Sequence, residues 1–511
     1  MTKTLMVRCG LSVVLTAICG VAAADVARGR VFHDTNGNGM LDNSERGVKD
    51  VCVSNGLEVV KTDREGQYTL PVSDDTVLFV IKPNGWITEL NDDGISQGYY
   101  IHKPNGSPKT KYPGVAPTGP LPASVDFALT HHREKNDFDL LLFGDPQPEN
   151  EAGVIHYGHD VVEELIGSDA LFGITLGDIV EDRLDLLDDI NTITARIGAP
   201  WHYVMGNHDM NKDTTTDEMA DETFERIYGP PYYSFNYGKM HCIVLDSVYR
   251  EGDKFHGELG ERQLAFIEND LAHVPDDHLV VLTMHIPMIN FKDKDKLYSI
   301  VQDRSHLFMI AAHWHSIEQF FLSSDDGWHG EKPLHLYVAG ATCGSWWTGF
   351  RDAAGIPHST MADGSPNGYS VMSVDRNEYT FRYKAARRPA DYQMTITAPE
   401  AVAASQAATT EIVANVFVAS ERATVEMRFG EDGDWVPMTQ WRGLDPFTVA
   451  FHEREKARDP EEAPWGSPKK HDHLYKAFLP ANPPTGMKVI YVRAVDAFGF
   501  KHTGRRLILI E

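Results

Sequence analysis

The sequence predicts an α/β core flanked by two β domains. Two observations carry this. Between residues 131 and 388 short apolar runs alternate with amphipathic ones, the rhythm of layered α/β structure. On either side the runs are short, rich in Val, Ile and aromatic residues, and separated by turn signals, as in β-sandwiches. With 511 residues, 42% of them hydrophobic and 24% charged, the chain has room for several ordinary globular domains.

Residues 1–24 read as a secretory signal. Lys3 and Arg8 give a positive start, Leu11 to Cys19 is an apolar run too short to span a bilayer comfortably, and Ala22-Ala23-Ala24 offers a cleavage site before Asp25. The expected location is periplasmic or secreted. No later stretch is long and apolar enough to be a transmembrane segment. Formal net charge is −27, and loss of Lys3 and Arg8 takes it two units lower. Such a surface repels phosphate backbones and argues against nucleic acid as a partner. Cys9 and Cys19 leave with the signal, while Cys52, Cys242 and Cys343 fall in different elements and read as buried small side chains, not a disulfide framework.

Residues 25–130 read as the N-terminal β-sandwich. Val51 to Ser54, Glu58 to Lys61, Tyr68 to Val72 and Val77 to Ile81 are strand-like, with turns at Asn55-Gly56, Arg64-Glu65-Gly66 and Ser73-Asp74-Asp75. Lys103 to Pro122 is a Pro/Gly/Ser/Thr-rich loop leading onward. In this domain Asp34, Asn36, Asn38, Asp42 and Glu45, with Gly39 between, have the oxygen-ligand spacing of a calcium loop. The strand-like Val31-Phe32 before it excludes an EF-hand. The loop resembles the calcium loops of β-sandwich repeats in bacterial surface adhesins, so any calcium would be structural.

Residues 131–388 carry the chemistry. Phe138 to Phe143, Leu171 to Leu176, Tyr203 to Met205, Cys242 to Leu245, Leu279 to Met284 and Leu307 to Ala311 are buried-strand candidates. Leu184 to Ile197 and Glu261 to Leu271 are helical, the second through Leu264, Ile267 and Leu271. Metal-capable residues follow nearly every strand, where open α/β sheets build their sites: Asp145 and Gln147 after Gly144, Asp178 after Gly177 with Glu181 and Asp182 beyond, Asn207-His208-Asp209 after Gly206, then His285, then His313 and His315. Glycine before each early group lets the chain turn sharply into the site. His313 and His315, one residue apart, would share one side of an extended segment. Carboxylates, imidazoles and an amide suit a pair of divalent ions. His33, His131, His132, His471 and His473 lie outside this series and read as structural.

The series resembles the calcineurin-like metallophosphoesterase family, with its D-x-H, G-D-x-x-D/N, G-N-H-D/E, lone H and G-H-x-H elements. The match covers the middle half of the chain. It implies a two-sheet sandwich holding Mn, Fe or Zn ions. By that resemblance Asp145 and His315 bind the first metal, Asp178 bridges, and Asn207, His285 and His313 bind the second. His208 acts beside the phosphate, Asp209 orients it, and a hydroxide between the ions attacks phosphorus. Gln147 stands where the family has histidine. As a harder ligand it favours Mn, and a similar variant occurs in a branch that hydrolyses nucleoside-diphosphate compounds. Either Glu181 or Asp182 fills the last place of the second element, and Ala312 replaces a glycine. The whole chain also resembles a three-part bacterial group with N- and C-terminal domains around this core. In that group's segments Trp346, Trp347 and Asn367 are candidates for the substrate pocket.

From 389 to 511 the chain reads as a second β-sandwich, with strands at Glu411 to Val418, Ala423 to Phe429, Lys488 to Asp496 and Arg505 to Ile510, and a long loop from His452 to His473. The expected function is an exported phosphoric ester hydrolase acting on a phosphorylated small molecule or a cell-envelope phosphoester. The alternatives are a nucleoside-diphosphate-type pyrophosphatase and an inactive surface-binding protein.

Overall fold

The computed structural model describes residues 25–511; the expected signal, with Cys9 and Cys19, lies outside the described residues. Two four-stranded sheets form the N-terminal sandwich, in the orders 67–72, 25–33, 127–131, 86–88 and 59–61, 52–54, 76–80, 99–102. Alternation sets the inward face: along Gln67–Val72, Tyr68, Leu70 and Val72 are buried and their neighbours are not. They pack with Ala27, Val31, Val53 and Leu129. Burial of each Val- or Leu-sized side chain contributes about 1.5–3 kcal/mol.

The core is a pair of stacked sheets. Its strands are β1 (Asp137–Phe143), β2 (Phe172–Thr175), β3 (Trp201–Tyr203), β4 (Tyr233–Tyr237), β5 (Met240–Val244), β6 (Leu279–Thr283), β7 (Leu307–Ala311), β8 (Ile317–Leu322), β9 (Leu334–Ala339), β10 (Gly368–Asp375) and β11 (Glu378–Ala385). One sheet runs β3-β2-β1-β10-β11, the other β4-β5-β6-β7-β9-β8. β1, β2 and β3 are parallel, as are β5, β6, β7 and β9. Parallel strands covered on both faces read as continuous apolar runs, and β6 is buried at all of its positions. Tyr337 of β9 bonds Ser370 of β10 across the sandwich at 2.7 Å. Helix Gly260–Leu271 buries Leu264, Ile267 and Leu271 as its period predicts. β1, β2 and β3 share a direction, as do β6 and β7, and the loops at their carboxyl ends meet: His285 Nδ1 lies 2.8 Å from the Leu176 carbonyl, and the His313 N–H donates to Asp145 at 3.1 Å.

The C-terminal sandwich pairs a four-stranded sheet (394–397, 411–416, 471–478, 439–443) with a five-stranded one (401–402, 501–510, 486–495, 424–429, 435–437). Here one expectation is corrected. The stretch read as a loop contains much of a helix, Pro446–Arg458. Its start signal lies just upstream: the Asp445 side chain caps the Phe447 N–H, and Pro446 occupies the first turn, where its missing N–H costs nothing. Cys52, Cys242 and Cys343 are all free thiols. Among the described residues no helix is long and apolar enough to cross a membrane.

Candidate metal centre

Five loops meet at the strand ends, and close approach explains two of their glycines. A Cβ on Gly144 would fall 2.0 Å from the Gly340 carbonyl oxygen, and one on Gly206 2.0 Å from the Asp178 nitrogen. The sharp turning expected of these two glycines is made instead by the polar residues. Asp145, Gln147, Asp178, His313 and His315 all have φ between 42° and 72°. Non-glycine residues in this region cost about 1–3 kcal/mol each and persist where the surroundings hold them. Here the Asp145 carbonyl accepts the Cys343 N–H at 3.0 Å, and the Asp178 carbonyl accepts the Gln147 N–H at 3.1 Å. The argument from an extended segment is therefore corrected for His313 and His315. They lie beyond β7 in bends, and two left-handed residues around Trp314 aim them. Ala312 is not among the left-handed residues, so its missing glycine costs nothing.

The tightest donor cluster centres on His285. Its Nδ1 lies 2.8 Å from the Leu176 carbonyl, which makes that nitrogen the N–H and leaves a lone pair on Nε2. That Nε2 faces Asp178 Oδ2, Asn207 Oδ1 and His313 Nδ1, each at 3.1 Å. All four of these atoms are of types that can ligate a shared cation. The donor atoms of Asp178, His285 and His313 all lie within 4.8 Å of one another. Asp145 and His315 lie alongside, with His315 Nε2 3.9 Å from Asp145 Oδ1 and its Nδ1 2.7 Å from the Gly344 carbonyl. Burial raises the Asp145 carboxyl well above its ordinary range despite the His285 charge. Burial acts on Asp178 the same way, but the His285 charge and hydrogen bond outweigh it and hold Asp178 low. His285 rises to about 9 because Asp178 outweighs burial, and burial takes His313 down to about 3 and His315 to about 4. Carboxylates, imidazoles and an amide oxygen together form a donor set that fits divalent metal ions.

His208 stands apart from that cluster, part-exposed, with Nδ1 2.7 Å from Asp182 Oδ1 and 3.3 Å from Glu181 Oε1. Burial would lower its pKa, but the Asp182 hydrogen bond and the surrounding carboxylates raise it. The expected role of Asp209 is corrected. Its carboxylate accepts the N–H groups of Gly206 (2.8 Å), Ile179 and Val180 (3.2 Å each), so it ties two loops together and does not touch the His208 ring. Asp182 is the residue on that ring. Gln147 places its amide oxygen near Cys343 Sγ, at 3.9 Å, and its amide nitrogen on the neighbouring carboxylates. Its Nε2 donates to Glu181 Oε2 at 2.6 Å and lies 3.4 Å from Asp178 Oδ2, so it braces two carboxylates.

The pocket candidates separate. Trp347 is buried and donates its indole N–H to the Pro146 carbonyl at 2.7 Å, holding the Asp145 loop. Trp346 is half-buried and stacks on His315 with centroids 4.0 Å apart. The Asn367 amide nitrogen bonds Asp160 (2.5 Å) and the Thr342 carbonyl (3.1 Å), a brace with no free donor toward a ligand. Far from this centre, Asp34 accepts backbone N–H groups of Asn36, Gly37 and Gly39, while Asn36 and Asn38 bond Asp42, and Glu45 bonds Thr35 and the Asp42 N–H.

Several site residues escaped the sequence. Ser247 Oγ accepts the N–H groups of His285 (3.1 Å) and Ile286 (2.9 Å); its place just past β5 was a usable signal. Tyr112, on the loop from the N-terminal domain, donates to the Asp182 carbonyl at 3.2 Å. Lys469 of the C-terminal domain donates to the Trp314 carbonyl at 3.2 Å. Neither has a local sequence signal.

Residues 35–112 match the family described as N terminal of Calcineurin-like phosphoesterase, and residues 336–502 match C terminal of Calcineurin-like phosphoesterase. The chain is 32% identical over 114 residues to "Serine/threonine-protein phosphatase CPPED1" of Danio rerio, a match covering 21% of this chain and 36% of that protein's length. Purple acid phosphatase PPD1 from yellow lupin (Lupinus luteus) seeds is similar at 12% identity over 66% of this chain and 67% of that one, with a TM-score of 0.36.

Proposed function

The chain belongs to the calcineurin-like phosphoesterase family, and on that premise we propose an exported hydrolase of phosphoric esters that works with two divalent ions, Mn foremost. The observation that carries the reading is the convergence of Asp178, Asn207 and His313 on the lone pair of His285, whose other nitrogen is fixed by Leu176. Asp178, Asn207, His285 and His313 would hold one ion. Asp145 and His315 would hold the other, with Asp178 shared. The metal pair, when bound, neutralises phosphoryl oxygens and lowers the pKa of the attacking water. His208 keeps Nδ1 on Asp182, which leaves Nε2 to donate a proton toward the phosphoryl group or the departing oxygen. Trp346, on the face of His315, provides an apolar wall.

The substrate is a phosphorylated small molecule or a cell-envelope phosphoester, and the loop Asp34 to Glu45 takes a structural calcium ion. The deciding experiment is elemental analysis of the purified protein, paired with hydrolysis of aryl phosphates and nucleoside diphosphates with added Mn. About two transition-metal ions with turnover would support the reading, and preference for diphosphates would move it to a pyrophosphatase. Calcium alone, with no turnover after Mn is supplied, would leave a surface-binding protein.

A further inference from the structure

Helix Pro446–Arg458 is inserted between two strands of the C-terminal sandwich and buries only Thr448, Phe451, His452 and Glu455. A cavity of about 450 Å³ lies between this helix and segments 350–366 and 388–395. Arg351, Arg388, Arg454 and Arg458 line this groove with His358, against a single carboxylate, Glu455. The chain as a whole has 74 acidic residues to 47 lysines and arginines, so the groove reverses the sign of its surroundings. Among the described residues, Arg351, Arg388 and Arg458 have no carboxylate partner, and Arg454 has only Glu455 at 3.6 Å.

Rings lie under three of these guanidinium groups. Arg458 lies 3.6 Å over Phe350, Arg454 5.4 Å over Phe451 and Arg388 5.6 Å over Tyr392. A guanidinium stacked on a ring keeps its planar edge of N–H donors free for an oxyanion. Prior placement also reduces the side-chain entropy lost on binding. Beside them Phe447, stacked on Phe451, is 44% exposed and leaves an apolar face uncovered.

We propose that this groove binds an oxyanion (phosphate, sulfate, sulfonate or carboxylate) carried on an apolar or aromatic body. The site is separate from the metal centre and does not depend on the catalytic reading. Its test is titration calorimetry of the full chain with naphthalene-2-sulfonate, which has no phosphoester to cleave. The expected result is saturable binding that weakens by about tenfold or more in the Arg454→Gln/Arg458→Gln double variant and also falls with added salt. Hydrolysis of aryl phosphate stays unchanged in that variant, and the neutral naphthalene-2-methanol does not bind. Both arginines are exposed, so the variant folds. Absence of sulfonate binding, equal binding by the double variant, or equal binding of the neutral alcohol would each overturn the proposal.

Discussion

His208 Nδ1 sits 2.7 Å from Asp182 Oδ1, an oxygen that also pairs with Lys212. The pair separates two roles that sequence spacing gives to the neighbouring Asp209. Asp182→Asn keeps a hydrogen-bond partner for the ring but removes the charge that favours its protonated form. Turnover of an aryl phosphate should fall about tenfold to a hundredfold in Asp182→Asn and about 10²–10⁴-fold in His208→Ala, with metal content unchanged in both. Asp209→Ala removes the acceptor of three backbone N–H groups, and should instead lower the melting temperature. If Asp209→Ala were as stable as wild type, its loop-tying role would be wrong.

Asp178 joins groups from three of the site's loops, His208, His285 and Gln147. Its Oδ1 accepts the His208 N–H at 2.8 Å while Oδ2 faces His285. Asp178→Asn should therefore lose both ions and essentially all turnover. Elemental analysis checks this directly, and two tightly held ions in the variant would contradict a shared carboxylate.

The strands leading into this centre were legible because parallel strands buried on both faces leave unbroken apolar runs. The run Leu279 to Met284 predicts the strand Leu279–Thr283 to within one residue. The helix Pro446–Arg458 is not legible in this way, because its start signal lies upstream and its buried stripe, Thr448, Phe451, His452 and Glu455 at i, i+3, i+4 and i+7, holds only one apolar side chain. At the site, residue type and order pointed to the loops that meet there. Backbone handedness did not follow from them: nothing local says that Asp145 or His313 adopts positive φ. Contacts such as Tyr112 to Asp182 join residues 70 apart in sequence, and only tertiary packing brings them together.

Lys82 is a buried ammonium at the junction of the N-terminal domain and the core. Its Nζ pairs with Glu134 at 2.5 Å, donates to the Asn236 carbonyl at 2.7 Å and lies 3.7 Å over the Tyr237 ring. Burial outweighs Glu134 and lowers its pKa to about 8 from 10.5. Between those two values the unfolded chain binds the proton and the folded chain does not, so stability rises with pH across that window. The cost of burying the charge is fully present below pH 8 and gone above 10.5. Denaturation of wild type and Lys82→Met at several pH values should show wild type gaining on the variant from pH 8 upward. A difference independent of pH would show that Lys82 does not titrate there. Glu134→Gln strands the ammonium at neutral pH and should cost about 3–5 kcal/mol.

The C-terminal sandwich reaches the metal centre through a buried network. His473 bonds Asn415 Oδ1 at 2.8 Å and Asp363 Oδ2 at 3.1 Å, and that same Asp363 oxygen accepts the Ile317 N–H at 2.7 Å. Ile317 is two residues past His315, and the Ala362 N–H meets the His315 carbonyl at 3.3 Å. Asn415 closes the ring by donating to the Asp363 carbonyl at 2.8 Å. A fully enclosed network is costly to interrupt, since each lost partner leaves a buried polar group unsatisfied at about 1–3 kcal/mol. His473→Ala should therefore loosen the segment that carries His313 and His315, although it touches neither ring. The expected outcome is weaker metal retention on dialysis, with turnover restored by excess Mn because the ligands themselves remain. His313→Ala should not be restored in this way. Full metal retention in His473→Ala would limit the network to stabilising the C-terminal domain.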